Sequence, residues 1–157
     1  MNRESQQDFL DQINDNRKII YKVVNLYVDD LAEREDLVQE VILQSYSSYE
    51  RFNGDSRFST WLYRVSLNTV LTHKKKENRR KSAETEFSPV DQGDQNEMKD
   101  RLYRAIKKLK PINRIAISLH LDGYSNPEIA NITGLSENHM AVKLHRSRNR
   151  LTQLLSD

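Results

Sequence analysis

Between His73 and Lys81 the run HKKKENRRK places seven basic or imidazole side chains within nine residues. Cations at that density neutralise phosphates and release the counterions that a polyanion carries. Directly upstream, SRFSTWLYRVSLN (56–68) holds the only tryptophan of the chain together with a phenylalanine and a tyrosine. Aromatic faces can stack on unpaired nucleic-acid bases, at roughly 1–3 kcal/mol per base. The same residue types also describe an ordinary amphipathic helix with a solvated basic tail, and the stretch alone admits both readings.

A second set of side chains lies in SENHMAVKLHRSRNRL (136–151). At about 100° per residue, Met140, Leu144, Ser147 and Leu151 fall within about 60° of one another. Asn138, His139, Val142, Lys143, Arg146 and Asn149 fall on the opposite side. Amides and bases there can meet base edges and phosphates in a major groove, and a valine can meet a thymine methyl. A plain amphipathic helix would share the periodicity. The preceding residues argue for more: Ser125 and Glu128 have the spacing of a capping box, Gly134 permits the positive φ of a turn, Leu135 can plug the angle between helices, and Ser136 is a natural N-cap. That is a helix-turn-helix in order and length.

Catalytic chemistry is not suggested. Glycines 54, 93, 123 and 134 are scattered and form no phosphate loop, and histidines 73, 120, 139 and 145 show no i, i+4 or HExxH pairing with one another. His139 and His145 are too far round their helix to share a metal, and His120 reads as an interior or boundary residue. Neither a cofactor nor a metal is expected, and the chain is not expected to be an enzyme.

The elements that must position these residues are helical. Phe9, Ile13, Ile20, Val24 and Tyr27 follow helical spacing, as do Leu37, Val38, Val41, Ile42, Ser45, Tyr46 and Tyr49, with Asp36 near the start of the second segment. NGDS (53–56) is a turn signal. Beyond it Trp61, Leu62, Val65 and Thr69 mark a helix running into the basic cluster, with Trp61 expected in the core because its face is costly to leave in water. The pattern lapses in SAETEFSPVDQGDQ, read as a flexible acidic linker. It resumes with Met98, Leu102, Ala105, Ile106 and Leu109, stops at Pro111 and restarts with Ile112, Ile115, Ala116 and Leu119. The expected fold class is therefore all-α: two small helical domains, 1–81 and 97–157, joined by a linker at 82–96, the second domain a helix-turn-helix.

Charge follows these boundaries. The 157 residues carry a net charge of only +2, but residues 1–56 balance to −6, 57–81 to +7, 82–100 to −5 and 101–157 to +6. Two basic blocks separated by an acidic one favour a polyanionic partner, although any single block could be a solvated surface. No apolar run approaches the roughly 20 residues of a membrane span, and MNRESQQDFLDQ lacks the apolar core of a secretory signal. The absence of cysteine excludes disulfides and fits a reducing cytoplasm.

A helical domain, an acidic linker and a helix-turn-helix ending in LHRSRNRL resembles the extracytoplasmic-function subgroup of bacterial sigma factors. EDLVQEVILQSYSSYERFNGDSRFSTWLYRVSLN (35–68) is similar to their region 2, and LKPINRIAISLHLDGYSNPEIANITGLSENHMAVKLHRSRNRL (109–151) to their region 4. The resemblance implies a non-catalytic protein that binds core RNA polymerase, through the clamp helices of the largest subunit and the flap region, and directs it to promoter DNA. It makes Asp36, Leu37, Gln39 and Glu40 candidate polymerase contacts. Asn53, Ser56, Phe58, Arg64 and Asn68 become candidates for the single-stranded −10 element, with Lys74, Lys75, Lys76, Arg79 and Arg80, in a cluster running to Lys81, on the phosphates. Ser136, Asn138, His139, Val142, Lys143 and Arg146 become candidates for the −35 duplex. The recognition helix departs from the commoner GTVKSR: Ala141 stands where lysine is usual and Lys143 where arginine is usual, so −35 sequences do not carry over from other members. An anti-sigma partner is common in the family. Two alternatives compete. A stand-alone helix-turn-helix regulator explains 97–155 but not the composition of 56–81, and an enzyme of nucleic-acid or phosphate chemistry lacks a site.

Overall fold

The computed structural model describes residues 1–80 and 97–156, among which helices are the only regular secondary structure. The expected linker at 82–96 and the base Lys81 lie outside the described residues. Contacts divide the chain into two compact units, Met1–Glu86 and Phe87–Asp157.

The first unit contains α1 (Arg3–Asp15), α2 (Arg17–Tyr27), α3 (Leu31–Ser48), a 3-10 turn (Tyr49–Arg51) and α4 (Phe58–Arg80). The apolar pattern from Phe9 to Tyr27 is broken into two helices at Asn16, whose backbone sits at φ −119°, ψ 16°. The Asn16 side-chain amide donates to the Gln12 carbonyl at 2.8 Å, and such local bonds compete with continuation of a helix. α3 begins at Leu31, earlier than its apolar spacing suggests, because Asp30 accepts from the Glu33 backbone N–H at 2.9 Å and caps it. Asp36 therefore lies inside the helix and is exposed.

α4 packs against both α2 and α3. Ile20, Val23 and Val24 of α2, Val41 of α3, and Leu62 and Val70 of α4 are all completely buried. At roughly 1.5–3 kcal/mol for each such side chain, this burial holds the three helices in register. Ser66 sits within the buried stripe of α4, its hydroxyl without a hydrogen-bond partner among the described residues. Lys22 on α2 is half-buried, with its ammonium 5.9 Å from the centre of the Tyr63 ring, and burial lowers its pKa from the usual lysine value.

The second unit comprises α5 (Glu97–Lys107), α6 (Pro111–Leu121), α7 (Asn126–Thr133) and α8 (Glu137–Ser156). Pro111 occupies the first turn of α6, where its missing N–H costs nothing. α6 ends in a Schellman motif: Gly123, at φ 94°, donates to the His120 carbonyl at 3.0 Å, and Tyr124 donates to Leu119 at 3.1 Å. Ile115, Ile117, Leu119, Ile129 and Met140 are fully buried, so α6, α7 and α8 share one small core. The Arg101 guanidinium donates to the Leu155 carbonyl at 2.9 Å, tying α5 to the end of α8.

Two stability measurements follow. Removing the unpartnered hydroxyl with Ser66→Ala is expected to raise the unfolding free energy by up to about 1–2 kcal/mol, whereas Ser66→Leu overpacks the buried face of α4 and lowers it by about 1–3 kcal/mol, both read from urea unfolding. For Lys22 the folded protein holds its proton less tightly than the unfolded chain does. Its contribution to stability is therefore lost as pH falls through the folded pKa and regained as pH rises past the ordinary lysine value. Lys22→Met should melt higher than wild type at pH 7, and the gap should narrow in melts at strongly alkaline pH.

Candidate nucleic-acid interface

The loop between the 3-10 turn and α4 rests on an aromatic cluster. Trp61 lies 5.2 Å from Phe52, 5.4 Å from Phe58 and 6.2 Å from Tyr49, measured between ring centroids, and Phe9 joins through Tyr49 at 5.2 Å. Tilted and edge-on pairs of this kind contribute about 0.5–1.5 kcal/mol each beyond their buried area. They anchor both ends of a loop that turns at Gly54, where φ is 81°. The loop's own polar bonds are long: Asp55 N–H donates to Asn53 Oδ1 at 3.4 Å, and the Ser56 hydroxyl donates to the Arg57 carbonyl at 3.3 Å. Asn53 is exposed and Ser56 is part-exposed.

Phe58 is only 7% exposed and is enclosed by this cluster, so the expectation that its ring meets an unpaired base is corrected: it supports the loop from beneath. Trp61 corrects in the other direction. It and Val65 are only partly buried, whereas Leu62 is fully buried. From the sequence Tyr49 was read only as part of an apolar helix face and Phe52 was not singled out; aromatic side chains flanking NGD on both sides were the available signal.

From Trp61 the helical repeat carries an exposed stripe along α4. At about 100° per residue, Trp61, Arg64, Asn68, Thr72, Lys75 and Arg79 lie within about 80° of arc. Asn68, Thr72, Lys75 and Arg79 are exposed and Arg64 is partly so. The structure thus brings Arg64, Asn68, Lys75 and Arg79 onto one face, with Lys76 and Arg80 also exposed. Lys74 is drawn aside, its ammonium 3.4 Å from Glu77 Oε2.

A groove of about 450 Å³ runs between α3 and α4, lined by Asp36, Glu40 and Gln44 on one wall and by Asn68, Thr72 and Lys76 on the other. Residues that the sequence assigned to separate partners therefore share one feature. Leu37 is 2% exposed and belongs to the core, which corrects its assignment as a contact; Asp36, Gln39 and Glu40 remain exposed.

In the second unit, the Ser125 hydroxyl and the Glu128 carboxylate form the reciprocal capping box at the start of α7, and Gly134 ends that helix at φ 80°. Ser136 Oγ accepts from the His139 backbone N–H at 3.2 Å, so this side chain caps α8. Met140, Leu144, Ser147 and Leu151 are buried. Asn138, His139, Val142, Arg146 and Asn149 are exposed, and Lys143 stands at the edge, partly buried. Val142 is 48% exposed, an apolar side chain left in water amid polar neighbours.

Residues 12–80 match the family described as Sigma-70 region 2, and residues 99–151 match Sigma-70, region 4. The ECF RNA polymerase sigma factor SigW of Bacillus subtilis is 28% identical, over 97% of this chain and 91% of that protein. The ECF RNA polymerase sigma-E factor of Escherichia coli K12 is 29% identical, over 82% of this chain and 76% of that one. This chain belongs to the sigma-70 family. Its fold is also that of the sigma factor RpoE from Bartonella quintana, solved with the anti-sigma factor NepR, at a TM-score of 0.76, 21% identity and coverage of 96% and 98% of the two chains. A stand-alone helix-turn-helix regulator would account for the second match in this sigma factor but not the first. Among the described residues, no helix is long and apolar enough to cross a membrane.

The two roles in the loop separate by unfolding. Phe58→Ala should cost about 3–5 kcal/mol in a urea titration, the usual loss for a buried phenylalanine. Asn53→Ala should stay within about 0.5 kcal/mol of wild type.

Proposed function

We propose that this sigma factor divides promoter recognition between its two domains, 1–81 and 97–157, with the segment 82–96 spanning between them on the polymerase. The protein is non-catalytic and works in the cytoplasm as a subunit of the polymerase holoenzyme. What carries the reading is the presence of both sigma regions, in order, in one chain.

In the first domain, Asn53 and Ser56 of the loop, with Arg64 and Asn68 of α4, hold the unpaired bases of the −10 element. Lys74, Lys75, Lys76, Arg79 and Arg80 follow the phosphates. The continuity of the exposed α4 stripe supports this division, since stacking and polar groups at one end pass directly into cations at the other. Asp36, Gln39 and Glu40 contact the clamp helices of the polymerase. A phosphate in the groove would lie beside Asp36 and Glu40, so that wall suits a cationic or hydrogen-bonding protein partner better than it suits DNA.

In the second domain, α8 enters the −35 major groove with Asn138, His139, Val142, Lys143 and Arg146 toward the bases and phosphates. Ser136 holds the first turn of α8 at the groove. The same domain meets the flap region of the polymerase. An anti-sigma factor restrains the free protein, a reading supported by the likeness in fold to a chain solved with such a partner.

The test is transcription in vitro with core polymerase over a promoter library. Wild type should give specific starts, and Lys143→Ala or Arg146→Ala should each reduce them roughly 5- to 150-fold, the value of 1–3 kcal/mol in base readout. No specific start from any promoter would overturn the proposal. Asn68→Ala should slow strand opening, followed by permanganate reactivity, more than it weakens the closed complex, and a pre-melted promoter should restore its activity. An equal loss at both steps would make Asn68 a structural residue.

A further inference from the structure

Beside the α3–α4 groove lies a set of side chains that promoter recognition does not use. Glu33 stands in the first turn of α3, and His73 and Glu77 lie one turn apart on α4. His73 Nε2 is 3.1 Å from Glu33 Oε1 and 3.9 Å from Glu77 Oε2, and the three potential ligand atoms all lie within 4.8 Å of one another. The side chains are partly buried, at 42% exposure for His73, 25% for Glu33 and 19% for Glu77.

We propose that Glu33, His73 and Glu77 form a binding site for a divalent first-row transition ion, with Zn²⁺ as the type, that clasps the start of α3 to the last third of α4. One imidazole nitrogen and two carboxylate oxygens are a donor set that such ions accept. Ligands held 2.0–2.1 Å from a tetrahedral ion are about 3.3 Å apart. The His73–Glu33 separation already meets that spacing, and rotation of the Glu77 carboxylate closes the other. Two carboxylates and a neutral imidazole also carry the charge that a dication balances. The ion takes the place of the direct contact between His73 Nε2 and Glu33 Oε1, and Lys74, 3.4 Å from Glu77, swings out to solvent. His73 also lines the groove, which leaves room for water in the remaining coordination position. The pairing escapes a search for histidine pairs because its i, i+4 partner is a glutamate and its third member comes from a distant helix.

This inference stands apart from the promoter reading and is tested without DNA or polymerase. The full chain, stripped of metal with a chelator, is titrated with ZnCl₂ by calorimetry and by thermal unfolding. The expected result is one ion per chain and a rise of roughly 10–20 °C in the first unit's unfolding midpoint at one hundred times the dissociation constant. His73→Ala and Glu77→Gln should each abolish the rise, and His145→Ala should retain it. Co²⁺ should give visible absorption that Glu77→Gln removes, a readout that does not depend on the stability of the variant. No rise at millimolar Zn²⁺, or an equal rise in wild type, His73→Ala and Glu77→Gln, would overturn the proposal.

Discussion

The rotation of α4 about its own axis governs the first domain. Leu62, Leu67 and Val70 are buried against α2 and α3, and the helical repeat then leaves Arg64, Asn68, Lys75 and Arg79 toward the surface. A turn of one residue, about 100°, would exchange apolar for polar side chains along 23 residues of helix. Burial of several aliphatic side chains, at roughly 1.5–3 kcal/mol apiece, makes that exchange prohibitive. The exposed polar and basic stripe is thus determined from behind, by groups buried in the core.

The second domain solves the same problem at shorter length. α7 has only eight residues, too short to persist alone, so its ends are fixed by the Ser125–Glu128 box and by Gly134 in the left-handed region. These caps set where α8 starts, and the start sets the phase of α8. Met140 and Leu144 then face inward while Asn138, Val142 and Arg146 face water. Val142 is tolerated there because a single exposed valine costs little.

α3 answers to two demands at once. Leu37, Val38 and Val41 hold it to the core, while Asp36 and Glu40 form the acidic wall of a groove whose other wall belongs to α4. Carboxylates beside a basic helix divide the surface electrostatically: the α3 wall of the groove is acidic, while Lys75, Arg79 and Arg80 make the exposed end of α4 basic. Glu33 continues the same stripe of α3 and meets His73 and Glu77, so the wall ends where donor atoms from the two helices converge.

Much of this was written locally. Helical periodicity, the capping box, Gly134, Ser136 and the split between the inner and outer faces of α8 follow from residues within a few positions of each other, which is why they could be read from the chain. The likeness to sigma regions 2 and 4 was likewise carried by contiguous residues. Where the helices of the first domain break and begin depended on weaker local signals, Asn16 and Asp30, that the apolar pattern overran. The tertiary structure alone decided what lies beneath and what lies above: that Phe58 and Leu37 are buried while Trp61 is partly exposed, and that Glu33 meets His73 across 40 residues. Spacing specifies a helix face, but which of two adjacent aromatic side chains a neighbouring element covers depends on helices packed from elsewhere in the chain.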